Sequence, residues 1–428
     1  MMALLVFLVS LFFFIFLGVP IFMSLGLSSL CIWLWHFGAL EPAILIQKMF
    51  IGIDSFPLMA IPFFMLAGEL MNTGGVSRRL VGFAQCLIGW VREGLGFAVV
   101  LASMFIAAIL GSASASAAMI GMVMIPAMAE RGYETDFSAA LVASAGSIGP
   151  IIPPSIPFII YGVIGEVSIA KLFVGGYIPG ILMGLSFMAY TYFFARKRGY
   201  PSESFPTLKS FASSFKEAFL TLLLPVIIMG GILGGVFTPT EAAVVAVVYA
   251  FLVGTFAYRE IKWTDLSGIF LRAANSTAMV LMVMSTATLL SWVLTLERVP
   301  QTVTQALLTV SSSPIVFLLL VNVFMIVVGM FLDAVSALTI LTPVLLPAAK
   351  ALNIDPVLFG VLLALNLSIG VLTPPVGLNL YVVSSIAKLD LVRISKAVLP
   401  FLALITLVIL IMIFFPATVT YLPNLWLH

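Results

Sequence analysis

Two stretches of the sequence place prolines and a glycine inside apolar segments that are long enough to cross a bilayer. They are "SIGPIIPPS" (147–155) and "SIGVLTPPV" (368–376). Proline has no N–H and clashes with the carbonyl one turn earlier, so each stretch breaks a helix and releases carbonyl oxygens. Gly149 and Gly370 let a guest approach the backbone closely. Irregular backbone at membrane depth is tolerated only in a buried position or along a cavity, so both breaks predict a polar binding site.

A run of small hydroxyl residues lies at the tip of a predicted hairpin. Ser112, Ser114 and Ser116 alternate with alanine in "GSASAS" (111–116). Hydroxyl oxygens are ligands for a hard cation such as Na⁺. The alternative is that the run only allows close helix packing.

A second hairpin tip, "LDAVSA" (332–337), carries a carboxylate. Asp333 aligns with Ser112 in the internal repeat described below, and Ser336 follows it by three residues. An ionisable group in mid-membrane indicates a functional site, here for a cation or for coupling. Asp333 as the N-cap of the outgoing hairpin arm is the alternative, and the two roles are compatible.

The half-helix that follows each break directs its positive end at the site, which favours an anion, while the freed carbonyls favour Na⁺. Asn366, Thr373 and Asn379 flank the second break and either face the cavity or only close the backbone. Arg298 follows a crossing and either binds a substrate carboxylate or snorkels to the interface. The candidate substrate-binding residues are Pro153, Pro154, Ser155, Asn366, Pro374, Pro375, Asn379 and Arg298.

Two other polar positions have a structural interpretation. Thr238 and Glu241 in "TPTE" are typical of a capping box with proline at the first helical position. Glu69 lies near the end of a predicted crossing, and snorkelling accounts for it.

The composition is that of a membrane protein. Of 428 residues, 62% are hydrophobic and 8% are charged, and the mean hydropathy is +1.25. A net charge of +2 with scattered Lys and Arg argues against nucleic acid. Two cysteines and two histidines leave little for metal clusters or thiol redox chemistry, and no GxxxxGK[ST] loop is present for ATP hydrolysis.

Apolar runs predict an all-α polytopic protein with about ten crossings and two re-entrant helical hairpins. The hairpins are 94–131 and 313–351, and two short interfacial segments are 76–92 and 259–272. The crossings are 3–18, 20–37, 54–73, 135–165, 167–195, 217–236, 238–258, 273–295, 355–387 and 394–418, of which 135–165 and 355–387 are the broken helices.

The distribution of Lys and Arg predicts the orientation. With both termini in the periplasm, 15 of the 19 basic residues fall in cytoplasmic loops and four fall outside, whereas the flipped orientation reverses these numbers. Cytoplasmic loops carry an excess of basic residues, so both termini are expected to be periplasmic.

The chain repeats itself at an offset of 221 residues. Residues 112–161 align without a gap on 333–382 and match at 11 of 50 positions. Each half has an odd number of crossings, five, plus one hairpin, so the second copy enters from the opposite side. The sequence therefore predicts an inverted-topology repeat, as in secondary transporters. Its parts are 1–200, a cytoplasmic linker 201–216, and 217–428.

The sequence resembles the large membrane subunit (DctM-like) of tripartite ATP-independent periplasmic (TRAP) transporters over nearly the whole chain. The motifs that carry the resemblance are "DSFPLMAIPFFMLAGELM" (54–71), "GSASASAAMIG" (111–121), "GSIGPIIPPSIPFIIYG" (146–162), "GVFTPTEAA" (235–243) and "NLSIGVLTPPVGLNLY" (366–381). Each motif alone is weak, and together they are specific.

The resemblance implies an elevator-type transporter with a static scaffold and a moving transport domain in the bacterial inner membrane. It implies Na⁺ at two or more sites as the coupling ion, no nucleotide, and an organic-acid substrate such as a sialic acid or a four-carbon dicarboxylate. The implied partners are a periplasmic substrate-binding protein, a separate small four-helix membrane subunit and membrane lipids. The positions expected to hold Na⁺ are Ser112, Ser114, Ser116, Ser147, Gly149, Asp333, Ser336, Ser368, Gly370 and Thr373.

Two other classes of function remain as alternatives. An intramembrane enzyme needs a nucleophile with a base, or metal ligands, within the membrane, but His36 lies near a span end and His428 at the terminus. A channel or non-transporting scaffold protein lacks saturable, sodium-dependent uptake, and an uptake assay distinguishes it from a transporter.

Overall fold

The computed structural model describes residues 2–37, 42–91, 94–196, 198, 205–310 and 313–427. All regular secondary structure within these ranges is helical. Residues 201–204 of the predicted linker, and Arg92 and Lys197 of the predicted cytoplasmic set, lie outside them.

Ten α-helices are described in the first half of the chain, and a 3₁₀ turn at Phe56–Met59 leads into the fourth. They are α1 (Met2–Phe16), α2 (Ile21–Phe37), α3 (Pro42–Ile51), α4 (Ala60–Thr73), α5 (Val76–Ile88), α6 (Gly94–Leu110), α7 (Ala113–Glu130), α8 (Thr135–Gly146), α9 (Ile156–Gly165) and α10 (Ile169–Arg196).

The described part of the second half also holds ten α-helices, with a π turn at Val253–Ala257 and a 3₁₀ turn at Trp263–Asp265. They are α11 (Leu208–Leu233), α12 (Pro239–Leu252), α13 (Leu266–Leu296), α14 (Val299–Val310), α15 (Pro314–Gly329), α16 (Ala334–Ala351), α17 (Pro356–Gly370), α18 (Leu378–Ala387), α19 (Leu391–Phe414) and α20 (Ala417–Trp426).

Eight helices in the described ranges are long and apolar enough to cross a membrane. Two of them, α7 and α16, are outgoing arms of the hairpins, and six are predicted crossings. The other four predicted crossings are the shorter helices α1 and α2 and the two helices that are broken near the middle. The predicted total of about ten crossings is reached when each broken helix is counted as one crossing.

The repeat is visible in the helix bounds. Moving α5 by 221 residues gives 297–309, which is the place of α14, and moving α10 gives 390–417, which is the place of α19. The sequence analysis missed α14, as well as α3 and α20. The repeat could have predicted α14, because the equivalent helix in the first half, α5, was predicted as an amphipathic segment.

Both hairpins reverse direction over fewer residues than predicted. The first turns at Gly111 and Ser112, where Gly111 has a φ of +61°, and the second turns over 330–333. Ser114 and Ser116 therefore lie on α7 rather than in irregular backbone. Alanine is the best helix former, so the alternating "SASASA" run enters the helix immediately after the turn.

Two further segments differ from the prediction. Residues 266–272 belong to α13, a continuous helix of 31 residues, so the predicted interfacial segment 259–272 is wrong from Leu266 onward. The helix α11 begins at Leu208, inside the segment predicted as linker, because the hydroxyl of Thr207 accepts a hydrogen bond from Ser210 N and caps it. The capping box at Thr238 and Glu241 is confirmed, with Thr238 N donating to Glu241 Oε2 over 2.8 Å.

The helices form two groups. The scaffold bundle consists of α1–α4 and α11–α13, which pack on one another, and the hairpin bundle consists of α6–α10 and α15–α20. The helix α5 packs on α6 of the hairpin bundle and on α11 of the scaffold bundle. An ion pair of 2.6 Å from Arg79 Nη2 to Glu260 Oε1, with the guanidinium over the ring of Tyr258, ties its first turn to the chain after α12. Helix α5 therefore links the two bundles.

The two halves of the hairpin bundle are joined by a buried hydrogen bond that we expect to stabilise the fold. Tyr161 in α9 is fully buried and donates to the carbonyl of Pro356, the first residue of α17, over 2.7 Å. We expect Tyr161→Phe to lower the free energy of unfolding by about 1 kcal/mol, because the carbonyl loses its partner. Thermal unfolding in detergent measures this.

Tyr381→Phe is the matched control. Tyr381 is 53% exposed, and its hydroxyl lies 3.3 Å from the carbonyl of Pro375. A loss of at most about 0.5 kcal/mol is expected there. Equal losses in the two variants would contradict the assignment of Tyr161 as a buried tie between the halves.

Candidate functional site

Both predicted breaks interrupt a helix. Break 1, residues 147–155, separates α8 from α9 as predicted, and break 2 separates α17 from α18. Break 2 covers 371–377 rather than the predicted 368–376, because Ser368 and Gly370 belong to the last turn of α17. The Pro153–Pro154 and Pro374–Pro375 peptide bonds are both cis. Both helices are interrupted at sequence positions that the repeat places on each other.

The first hairpin tip sits on break 1. A Cβ added at Gly149 would lie 2.7 Å from the carbonyl oxygen of Ser112, and one added at Gly111 would lie 2.6 Å from the carbonyl oxygen of Pro154. Only glycine allows the two backbones to approach so closely. Main-chain oxygens of the tip and of the break thus converge at one place.

The second tip sits on break 2 in the same way. A Cβ at Gly370 would lie 2.4 Å from the carbonyl oxygen of Gly329, and Val376 N donates to the carbonyl of Met330 over 3.3 Å. The structure thus repeats one unit, a hairpin tip seated on a broken helix, in each half of the chain.

The two units are packed crosswise. The helix α9, which follows break 1, packs on α16 of the second hairpin, and α18, which follows break 2, packs on α7 and α8. Asn379 in the first turn of α18 donates from Nδ2 to the carbonyl of Ala143 over 2.9 Å. Each half-helix is therefore held by the opposite repeat.

The first unit offers hydroxyl oxygens. Ser112 begins α7 as its N-cap residue without a side-chain capping bond, and Ser114 lies in the first turn of α7 at a partly buried position. Ser116 is fully buried, and its hydroxyl has no hydrogen-bond partner within the described part of the chain. Ser147 donates to the carbonyl of Ser144 over 2.6 Å. A buried polar atom without a partner is costly, so this donor set fits a hard cation that supplies the missing interaction.

The second unit places a carboxylate at its tip. Asp333 caps α16, with Oδ2 accepting from Val335 N at 3.0 Å and from Ser336 N at 3.3 Å, and Oδ1 accepts from the Ser336 hydroxyl. The N-cap alternative is thus what the structure displays. A carboxylate has about four acceptor positions, so capping leaves room for a cation.

Two residues of the second unit have their hydroxyls occupied locally. Thr373 donates to the carbonyl of Ile369 over 2.7 Å, and the Ser368 hydroxyl lies 3.4 Å from the carbonyl of Ala364. Their oxygens can still accept or coordinate through lone pairs. Asp333 is thus a carboxylate at the second tip, whereas Ser368 and Thr373 carry neutral hydroxyl oxygens.

Two buried amides lie beside the breaks. Asn366 in α17 donates to the carbonyl of Leu362 over 3.0 Å, and its Oδ1 has no partner in the described residues. The Oδ1 of Asn379 is also buried and unpartnered in those residues. Both amide oxygens therefore have unused acceptor positions beside the breaks.

The other substrate candidates divide into two groups. Ser155 caps α9 and donates to the carbonyl of Pro150, so its hydroxyl closes break 1. Pro153 and Pro154 are buried, whereas Pro374 is partly buried and Pro375 is exposed. Arg298 is exposed at the turn between α13 and α14, with a φ of +53°, and the structure does not place it beside a tip or a break.

The environments of the two breaks differ. Every residue from 147 to 155 is buried, while Pro375 and Val376 of break 2 are exposed, Val376 by 38%. The repeat therefore relates the backbone of the two units but not their surroundings. Break 2 is the one that faces the outside of the chain.

The sequence analysis missed a cavity in front of the first tip. It has a volume of about 110 Å³ and is lined on one side by Ser112 and Ile156 and on the other by Glu69, Asn72 and Ser276 of the scaffold bundle. Glu69 is not only snorkelling, because its Oε2 lies 2.7 Å from Nε of Arg272. Glu69 and Asn72 stand three residues apart on an otherwise apolar helix, which was the available signal.

Two kinds of comparison with known proteins agree with this arrangement. The sequence profile of the family described as "Tripartite ATP-independent periplasmic transporter, DctM component" matches residues 8–418. The C4-dicarboxylate TRAP transporter large permease protein DctM of Vibrio cholerae is 40% identical over 95% of this chain and 94% of its own length.

A longer relative and a solved structure are also similar. The isethionate TRAP transporter permease protein DctMQ of Oleidesulfovibrio alaskensis is 46% identical over 94% of this chain, which spans 64% of that relative's length. The crystal structure of the Alcanivorax borkumensis YdaH transporter superposes with a TM-score of 0.62 at 16% identity, covering 87% of this chain and 89% of that one. This last likeness concerns the fold alone.

Proposed function

This chain belongs to the DctM family of tripartite ATP-independent periplasmic (TRAP) transporters, and from that premise we propose that it carries an organic acid into the cell together with Na⁺. It is a multi-pass protein of the bacterial inner membrane. The observation that carries the proposal is the repeated unit in which a hairpin tip seats on a broken helix, with buried oxygens that lack partners in the described residues. The description of the family as a transporter component decides against the enzyme alternative.

Sodium binds, in this proposal, where each tip meets its break. The first site uses the hydroxyls of Ser112, Ser114 and Ser116 and the backbone around Gly149, and the second uses Asp333 and the backbone around Gly370. All of these donors are oxygens, as a hard cation requires. The sodium gradient then supplies the free energy for uptake, and neither site needs nucleotide.

The substrate lies between the two units. An organic acid carries a carboxylate or sulfonate, which the N-terminal ends of α9 and α18 attract. The amide oxygens of Asn366 and Asn379 accept from hydroxyl groups of the substrate. Isethionate, a four-carbon dicarboxylate and a sialic acid all combine an anionic group with further polar oxygens, so each is a candidate.

Alternating access takes place by an elevator movement of the hairpin bundle against the scaffold bundle. The helices α5 and α14 occupy equivalent places in the repeat, and each connects a scaffold helix to a hairpin. In this movement both tips and both breaks travel as one body, because α9 and α18 hold the opposite repeat. Scaffold helices α4 and α13 remain in place.

The partners follow from the same premise. A periplasmic substrate-binding protein delivers the acid, a small four-helix membrane subunit completes the scaffold, and lipids surround both. With both termini in the periplasm, the first hairpin enters from the cytoplasm and the second from the periplasm. Arg298 then lies on the periplasmic side, away from the substrate.

The test is uptake into proteoliposomes that contain this chain, the small subunit and the cognate binding protein. Isethionate, succinate and sialic acid are supplied in parallel, with and without an inward sodium gradient. Saturable uptake of one of them that requires both the gradient and the binding protein is expected. Equal uptake in the absence of sodium would refute the coupling, and non-saturating flux would identify a channel.

A further inference from the structure

The cavity in front of the first tip has a polar wall that belongs to the scaffold bundle. Glu69 and Asn72 of α4 and Ser276 of α13 face Ser112 across a space of about 110 Å³. Close to it, the two bundles touch, because a Cβ added at Gly68 would lie 3.0 Å from Cδ2 of Leu110. A ligand that leaves the first tip on this side therefore meets scaffold side chains first.

The carboxylate that lines this cavity is paired with a cation, Arg272, which does not itself line it. Arg272 Nε lies 2.7 Å from Glu69 Oε2, and Arg272 Nη2 donates to the Thr73 hydroxyl over 3.3 Å. Arg272 precedes Ser276 by four residues, so both lie on the same face of α13. The guanidinium has five N–H donors, of which these two bonds use two, and its side chain is 53% exposed.

An organic anion presents the same group to Arg272 as Glu69 does. A guanidinium binds a carboxylate or a sulfonate through two parallel N–H···O bonds, which a lysine does not match. The resident carboxylate of Glu69 therefore competes with the substrate for one partner. When the substrate takes Arg272, the charge of Glu69 is freed beside Ser112, where the proposed sodium site begins.

We infer that Arg272 binds the anionic group of the substrate at the scaffold side of this cavity, and that Glu69 is the competitor that displaces it. The inference rests on the proposed function. It gives the scaffold bundle a binding role that the repeat does not predict, because the pair of Glu69 and Arg272 has no symmetric counterpart: the offset of 221 places Leu290 opposite Glu69 and Ile51 opposite Arg272. When the substrate anion pairs with Arg272, Na⁺ can pair with the freed carboxylate of Glu69. Neither Arg272 nor Glu69 is then left as an unpaired charge.

The test uses Glu69→Gln and Arg272→Gln in the proteoliposome assay, with whichever of isethionate, succinate and sialic acid the wild type transports. Glu69→Gln removes the competitor, so the apparent KM and the maximal rate are both expected to fall, by about tenfold for KM. Arg272→Gln removes the binding residue, so the apparent KM is expected to rise by about tenfold. A pair with only a structural role gives the same change in both variants, because either substitution breaks it.

A second ion pair of the chain provides the matched control. Glu260→Gln and Arg79→Gln each break the ion pair at the first turn of α5, which does not line this cavity. Any change in the apparent KM is expected to have the same direction in these two control variants. Arg272→Lys, which keeps the charge without the fork, is expected to fall between the wild type and Arg272→Gln. Should a glutamine variant fail to fold, Arg272→Lys and Glu69→Asp repeat the comparison.

Shifts of KM in the same direction for Glu69→Gln and Arg272→Gln, or no shift in either, overturn the inference while wild-type uptake persists. Absence of sodium-driven uptake in the wild type refutes the proposed function instead. The two failures are therefore distinguishable in one experiment.

Discussion

Asp333→Asn is expected to abolish or strongly weaken sodium-driven uptake while the protein still folds. Asparagine caps a helix as well as aspartate does, so the start of α16 is retained, but the charge at the second tip is lost. Loss of the charge at the proposed second sodium site is expected to raise the sodium concentration for half-maximal uptake by at least about tenfold, equivalent to about 1.4 kcal/mol of binding. Uptake as a function of sodium concentration measures this.

Asp355→Asn is the matched control, since Asp355 caps α17 with the same geometry, accepting from Val357 N over 2.7 Å and from Leu358 N over 3.1 Å. Asp355 does not lie at a tip or a break, so uptake by Asp355→Asn is expected to depend on sodium concentration as uptake by the wild type does. Ser112→Ala, which removes a neutral oxygen at the first tip, is expected to weaken uptake strongly. Unchanged sodium dependence in both Asp333→Asn and Ser112→Ala would remove the assignment of the cation sites.

Gly370→Ala is expected to have the second large effect, because it separates the second tip from its break. The added Cβ would lie 2.4 Å from the carbonyl oxygen and 2.7 Å from Cα of Gly329, and backbone atoms cannot rotate away as a side chain can. Overpacking of this kind costs about 1–3 kcal/mol. We expect lower thermal stability in detergent together with loss of uptake.

Gly230→Ala is the control for Gly370→Ala, because it makes the same substitution at a position where the added Cβ causes no clash. Gly230 lies inside α11, and a Cβ there meets nothing within 4 Å. Stability is expected to stay equal or to rise by up to about 1 kcal/mol, because alanine favours helix over glycine. If Gly370→Ala behaved like Gly230→Ala, the close contact between tip and break would not matter for transport.

The breaks and the hairpins could be predicted from the sequence because their causes are local. Proline lacks an N–H and glycine lacks a Cβ wherever they stand, so a helix break within or next to 147–155 and 368–376 was predictable, although the second begins only at Val371. The offset of 221 then related the two halves before any packing was known. Even α14 was implied, since it stands where the repeat places the amphipathic helix α5.

The errors arose where local signals were weak. Ser114 and Ser116 were expected in irregular backbone, but helix propensity of the intervening alanines extends α7 to the turn. The segment 259–272 was expected in the interface, but it continues into α13. Helix ends and extensions depend on small differences in free energy that neighbours decide.

What the sequence determined by itself is the class of protein, the inverted repeat and the positions at which helices break, because each depends on composition, spacing or the covalent structure of proline and glycine. Only the tertiary structure decided which groups meet: Asn379 with Ala143, Glu69 with Arg272, and a buried first break beside an exposed second one. The physical reason is that helices apolar on nearly all sides carry no periodicity to mark the contacting face. Contacts between residues some 200 positions apart therefore follow from packing alone.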